Sequence, residues 1–390
     1  MSRHSLALAI ALLAIFVALA ALVPVGAPSS AQSSQTPSTR GSVVIAGGGD
    51  VLAHIRVVRA ARANGWDRVL SGLTELVRAS DVAFANLETP LSEERPVESG
   101  SPPILGAPPE LATGLATAGI DVLSIANNHA WDQWARGAER SVAAVRAANM
   151  GAIGAGPTLE DAFAPHVITR DGTRIAFVGI TERVNAGPGH SPPEALIARW
   201  DDDARVASAI ERARSMADVV VVSIHWSHDF VERPNGRQRE RARLLVDHGA
   251  DVILGHGPHV LHVVERMTSP RGEAICVYSL GNLLSNQGNR YRVGRRAAAG
   301  AHIATWLPAS RDGAWIRVPV TAASGRITIG RVEAVPLFTF NNFWEMERDR
   351  TLEPDIRVQR LAAVTDVPLR DERRPIIAAT LGSAVTLVDR

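Results

Sequence analysis

The sequence contains no lysine; all 41 of its basic side chains are arginine, set against 40 carboxylates. That absence excludes Schiff-base chemistry on lysine and any P-loop lysine. The single cysteine, Cys276, cannot close an internal disulfide, and no cysteine-based zinc motif can be built. A net charge of +1 excludes a general electrostatic grip on nucleic acid, which needs a concentrated basic face, so no nucleic-acid partner is expected. There is no Gly-x-Ser-x-Gly nucleophile elbow. Gly47-Gly48-Gly49 matches neither the dinucleotide fingerprint nor a Walker loop. What is present is a chain of 390 residues, 46% hydrophobic and 21% charged. It is long enough to bury a large core, and too mixed in character to be wholly disordered or a multi-span membrane protein.

The N-terminus opens on an uncharged apolar run, Leu6 to Val23, with Arg3 before it and Pro24 after it. Residues 1–31 are therefore expected to be a signal peptide or a membrane anchor, and 32–41, rich in Ser, Thr, Gln and Pro, a flexible linker. No basic residue follows the run until Arg40, which favours a cytoplasmic N-terminus and an exported body, anchored to the membrane or free in the periplasm or outside.

In the body one unit recurs: an apolar, β-branched run ends in polar residues, and an amphipathic stretch follows. The runs end at Asp50, at Asn86-Leu87-Glu88, at Asn127-Asn128-His129, at His225-Trp226, at Gly255-His256-Gly257-Pro258-His259 and at Gly281-Asn282. Continuous apolar runs are the mark of strands buried on both faces. Helices are expected over Pro108 to Ala118, Trp134 to Asn149, Asp201 to Ala217 and Gly236 to His248. Strands alternating with helices define an α/β fold. Trp315 to Val335 reads as a strand pair, and the aromatic-rich Phe338 to Trp344 as a cover. The main domain is expected over 42–310, with 311–390 a C-terminal extension packing on it.

Asp50, Glu88, Asn128, His129, His225, His256 and His259 all sit where an apolar run ends, and loops at the carboxyl ends of strands form the ligand crevice of α/β sheets. Carboxylates, an amide oxygen and neutral imidazoles are the donors that bind Zn, Mn or Fe. Two divalent ions sharing a carboxylate activate water and hold a leaving oxygen, and a histidine outside the coordination sphere can protonate the leaving group. Singly, each residue has an ordinary reading: Asp50 a turn, Glu88 a pre-turn position, His129 a cap, His225 a core histidine beside Trp226. The set together points to a metal site. His54 lies near Asp50 on a segment whose turn directs it elsewhere, and His262 is placed to orient a ligand or substrate. His228 and Asp229 read equally as support for the site or as exposed residues. His248 reads as a helix-end cation, and Cys276 as a small core hydrophobe. A two-acid glycosidase leaves the histidines unexplained.

In order, Gly49-Asp50, Asn86-Leu87-Glu88, Ala126 to Asp132, His225-Trp226, Gly255 to Val260 and Tyr278 to Asn282 resemble the bacterial capsule-synthesis family of the CapA type, associated with poly-γ-glutamate. That family is similar to calcineurin-like metallophosphoesterases, and the resemblance spans Val43 to Gln287. It departs at Ser227-His228-Asp229-Phe230, at Gly257 where the family commonly has His, at His262 where it has Gln, and at Ser285-Asn286-Gln287. The resemblance implies a metallophosphoesterase-like four-layer sandwich, two mixed β-sheets flanked by helices. It implies that Asp50, Glu88, Asn128, His225, His256 and His259 ligate two metal ions, with Glu88 bridging, that His129 is the general acid and that Asp132 orients it.

The expected function is that of an exported capsule or poly-γ-glutamate biosynthesis protein with a dimetal phosphoesterase-like hydrolytic site. It would cut a phosphoester or a γ-glutamyl amide, and its partners would be an anionic polymer and membrane polyglutamate synthase subunits. A non-catalytic accessory subunit that holds an anionic polymer, and a periplasmic metallophosphodiesterase with no capsule role, are the alternatives.

Overall fold

The computed structural model describes residues 41–97, 102–185 and 196–390. The apolar run Leu6 to Val23 and the tract 32–40 lie outside the described residues.

Among the described residues sixteen strands follow in chain order. β1 (Val43–Val51), β2 (Val82–Leu87), β3 (Val122–Ser124) and β4 (Gly151–Ile153) come first. β5 (His166–Arg170), β6 (Thr173–Thr181), β7 (Val219–His225), β8 (Val252–His256), β9 (Val264–Ser269), β10 (Gly272–Val277) and β11 (Asn282–Leu284) follow. β12 (Asp312–Ala323), β13 (Arg326–Ile329), β14 (Glu333–Asn341), β15 (Ile356–Arg360) and β16 (Thr386–Leu387) complete them. Strands β1 to β4 pair in parallel, as do β6, β7, β8 and β10. β12 lies antiparallel beside β1, which makes the first half mixed, and β5 and β9 run antiparallel in the second.

The two halves face each other. Phe84 of β2 stacks on Phe177 of β6 with ring centres 6.1 Å apart. One apolar cluster joins Ile45, Val122, Val221, Leu254 and Ile316 between the halves. Val219 to Val222 have no exposed surface, and each such Val or Ile contributes about 1.5–3 kcal/mol of transfer free energy. On the outside, helices Ile55–Asn64, Glu110–Ala118 and Trp134–Ala147 cover the first half, and Asp203–Met216 and Gly236–Asp247 the second. The result is helices, sheet, sheet, helices, the layering expected.

The sheets are joined by hydrogen bonds at one edge. β13 pairs antiparallel with β12 and meets β10 at Gly272 and Ile327, so the strands run as one folded path from β4 to β5. The helix ends follow local chemistry. Asn235 and Gln238 form a capping box, Asp202 accepts from Ala204 N, and Gly119, at φ 100°, closes the Glu110–Ala118 helix.

The stretch read as a strand pair holds three strands. β12 is long enough to pair with β1, β13 and β14 along different parts of its length. The expected aromatic cover is divided. Phe338 lies inside β14, almost wholly buried, while Phe343 and Trp344 begin the helix Phe343–Arg348. With both faces of β14 covered, its side chains do not alternate, and the strand is invisible to a period-two reading.

Candidate metal centre

The carboxyl ends of both halves meet at one edge of the sandwich. Gly49 lets β1 pass close to the chain after β10, because a Cβ there would stand 2.0 Å from Gly281 O. Asp50 N donates to Gly281 O at 3.0 Å. The pairing of β1 with β2 and with β11 is irregular at this point, and such irregularities re-aim side chains at functional edges.

Asp50 is fully buried. Its Oδ1 accepts from Asn86 Nδ2 at 2.9 Å and lies 3.3 Å from His256 Nδ1. Its Oδ2 accepts from Gly257 N at 3.2 Å and lies 3.1 Å from His259 Nδ1. Burial pushes the acid upward, but the hydrogen bonds and charges of His256 and His259 outweigh it and hold the carboxyl well below the usual range. Glu88, just past β2, is equally buried, and neither of its oxygens has a hydrogen-bond partner. Oε1 stands 3.2 Å from His225 Nε2 and 3.7 Å from His259 Nε2. Burial, then repulsion from Asp50, pushes Glu88 up. Burial pushes His225 well down, toward the neutral ring that a metal requires.

Asn128 Oδ1 and both ring nitrogens of His225 and His256 are likewise buried without hydrogen-bond partners. Buried polar atoms are ordinarily satisfied, and a cluster of unpaired acceptors is costly unless a cation fills it. Ligand atoms of Asp50, Glu88 and His225 all lie within 4.8 Å of one another. The donor set therefore fits a bound metal ion.

His129 and Asp132 form a separate pair beside this cluster. His129 Nδ1 is 2.6 Å from Asp132 Oδ2, and that oxygen also accepts from Leu105 N at 2.7 Å. This leaves His129 Nε2 as the ring's free atom.

Strain marks the loops. His259 has φ 58°, Phe230 φ 60° and His228 φ 79°. Non-glycine residues persist in this region only where their surroundings over-determine them. The Phe230 ring packs on His259 at 5.7 Å. Gly257 has φ 101°, and a Cβ would meet Trp226 O at 2.4 Å, so the loop as built here rejects any side chain at the position where the resembled motif carries His.

Asp50, Glu88, His225, His256 and His259 meet at this edge, His129 and Asp132 form their own pair, and Asn128 follows β3 with its Oδ1 buried and unpartnered. Asn86, Asn282 and Phe230 were not singled out. Asn86 holds Asp50, and Asn282 pairs with Asp50 across β1 and β11 with its Oδ1 buried and unpartnered. Both amides close apolar runs, in Asn86-Leu87-Glu88 and in Tyr278 to Asn282. His262 Nε2 is 2.6 Å from Val231 O, where it braces the loop after β7. His228 and Asp229 are exposed, and Asp229 meets Arg183 at 3.5 Å.

His54 is drawn in after all. Its Nδ1 lies 3.2 Å from Leu52 O and 3.3 Å from Asn286 N. Burial, with the charges of His129 and His259, pulls it down to about 4. The unfolded chain takes a proton at His54 below about 6.5 and the folded one does not until about 4. Stability from this group is thus complete above that window and lost as pH falls through it, at about 1 kcal/mol per pH unit. The urea midpoint of the parent should fall more steeply than that of His54→Gln between these limits; parallel profiles would remove His54 from the account.

A family model described as bacterial capsule synthesis protein PGA_cap matches residues 44–287. Capsule biosynthesis protein CapA of Bacillus anthracis is 30% identical over 246 residues, covering 62% of this chain and 59% of that protein. PGA biosynthesis protein CapA of Bacillus subtilis (strain 168) is 32% identical over 251 residues, 62% of each chain. The chain thus spans about six tenths of the length of these relatives. Among solved structures, the calcineurin-like phosphoesterase YfkN from Bacillus subtilis is 10% identical at a TM-score of 0.42, covering 76% of this chain and 90% of that one.

Proposed function

The chain belongs to the bacterial capsule synthesis protein family, and on that premise we propose that it is an exported hydrolase acting on an anionic capsule polymer through a dinuclear metal site. The observation that carries the reading is Glu88, a buried carboxylate with both oxygens unpartnered beside His225 and His259. Asp50, Glu88, Asn128, His225, His256 and His259 would hold two divalent ions, of Mn, Zn or Fe, with Glu88 shared between them. The chemistry such a pair supplies is activation of water and polarisation of the bond under attack.

The chain's own residues do the rest. Asp132, fixed by Leu105 N, holds His129 at Nδ1 and leaves Nε2 to carry a proton to the departing oxygen or nitrogen. Asn86 and Gly257 N keep the Asp50 carboxylate turned toward His256 and His259. Phe230 covers His259 and limits water on that side. The substrate bond is a phosphoester or a γ-glutamyl amide, and the proposed partners are membrane polyglutamate synthase subunits. Export is supported by Leu6 to Val23 behind Arg3. Among the described residues no helix is long and apolar enough to cross a membrane.

Elemental mass spectrometry tests the premise. The full chain, reconstituted with Mn, Zn or Fe, should carry about two equivalents of metal, and His225→Ala/His259→Ala should lose them. A parent that binds none of the three would leave a family member that holds polymer without cutting it.

A further inference from the structure

The segment that closes the metal centre continues into an arginine-rich stretch that the reaction does not use. Asn282 donates from Nδ2 to Gln287 Oε1 at 2.9 Å, and Asn286 N donates to His54 Nδ1 at 3.3 Å. From there the chain runs out into the exposed residues Arg292 to Arg296, just beyond the family-matched region. Most arginines of this protein pair with carboxylates. Arg290 and Arg295 lie on rings instead, and Arg292 lies on a ring near Glu345. The guanidinium carbons of Arg292 and Arg295 sit 5.6 and 5.1 Å from the Trp344 ring centre. That of Arg290 is 5.4 Å from Phe343. Arg56, from the helix that begins after His54, covers the same Phe343 ring at 5.4 Å. Phe343 and Trp344 meet edge to face at 5.2 Å, so four cations share one two-ring platform. Among the described residues one carboxylate, Glu345, approaches any of the four, 3.9 Å from Arg292.

A guanidinium stacked on a ring is held in place while its N–H donors remain free at the edge, and that fork matches a carboxylate bidentately. Four such forks on one platform suit an extended chain with a carboxylate on successive units better than a single small anion. The rings are covered by guanidiniums, which leaves little face for bases to stack on, as a nucleic-acid strand would require. The platform is continuous in sequence with the edge of the metal centre, through Asn282 to Gln287 and through His54 to Arg56.

We propose that Arg56, Arg290, Arg292 and Arg295 on Phe343 and Trp344 form a docking strip for an extended polycarboxylate, seating it beside the mouth of the metal centre. The polymer's identity rests on the capsule reading above; the strip requires no hydrolysis.

Fluorescence anisotropy of the full chain with labelled poly-γ-glutamate tests this. Arg290→Ser/Arg292→Ser/Arg295→Ser should weaken binding about 10-fold or more and flatten its dependence on salt, as expected when ion contacts are lost. Metal content and thermal midpoint at parental values would show that the variant is folded. A triple variant that binds as tightly as the parent overturns the strip. So does strip-dependent binding of single-stranded DNA or of phosphatidylglycerol vesicles in preference to the polymer. A parent that binds polymer through the strip and hydrolyses nothing overturns the hydrolase reading alone.

Discussion

Glu88→Gln is expected to lower hydrolytic turnover about 1,000-fold or more, on the order of 4 kcal/mol of barrier, while making the metal-free protein more stable. The two effects have one cause. Without metal, Glu88 is a fully buried carboxylate facing Asp50, with no hydrogen-bond donor on either oxygen. A glutamine of the same shape removes the charge and can donate an N–H toward His225 Nε2, which stands 3.2 Å from Oε1. Sparing the fold a buried acid that has no hydrogen-bond partner and that burial and Asp50 push up is worth about 1–3 kcal/mol. With metal present the order reverses. A ligand held at a thousand times its dissociation constant stabilises the folded state by about 4 kcal/mol, and the variant forgoes most of that. Thermal melts of both proteins, with chelator and with Mn, provide the check. The curves should cross. A variant less stable than the parent under chelator would mean that Glu88 is satisfied by groups of the protein itself.

Arg373→Ala should be strongly destabilising, costing about 3–5 kcal/mol. Arg373 lies on the helix Val367–Leu381 and binds Asp312 with Nε at 3.2 Å and Nη2 at 2.5 Å, both side chains almost wholly buried. Truncating the arginine strands a buried carboxylate, whereas Asp312→Asn/Arg373→Met removes both charges and should recover much of the loss. The pair also reaches the metal centre. A Cβ on Gly281 would stand 2.6 Å from Asp312 O, and Gly281 O is the acceptor for Asp50 N. Arg373→Ala should therefore weaken metal retention as well as fold stability, since the strand that carries Asp312 backs the turn that holds Asp50. Urea midpoints for the three proteins, with metal content on the same samples, separate the two effects. A single variant that unfolds at the parental midpoint would remove the pair from the stability account.

Much of the centre was legible in the chain because of a rule about buried strands. A strand covered on both faces is apolar along most of its length, so the polar residues that close the run stand at the sheet's edge. Asp50, Glu88, Asn128, His225 and His256 are all such residues. Cys276 is equally readable: it lies inside the run that becomes β10 and is buried there. His248 ends its helix, and its Nδ1 lies 2.8 Å from Glu211 Oε1. Phe338 was misread because a fully covered strand and an aromatic cover have the same composition.

The sequence by itself determined the alternation of strands and helices, the positions of the donors at strand ends and the absence of lysine and disulfide chemistry. These are local properties, set by side-chain type and spacing. Tertiary structure alone decided which donors meet. Asp50 faces His256 and His259 across some two hundred residues of chain, and Glu88 faces His225, because the two halves of the sandwich bring their carboxyl ends to one edge. It also decided that β12 stands beside β1, that Arg373 neutralises Asp312 behind the centre, and that arginines beyond residue 287 rest on Phe343 and Trp344. Strand order and long-range burial determine those meetings, and neither leaves a periodic trace in the residues that take part.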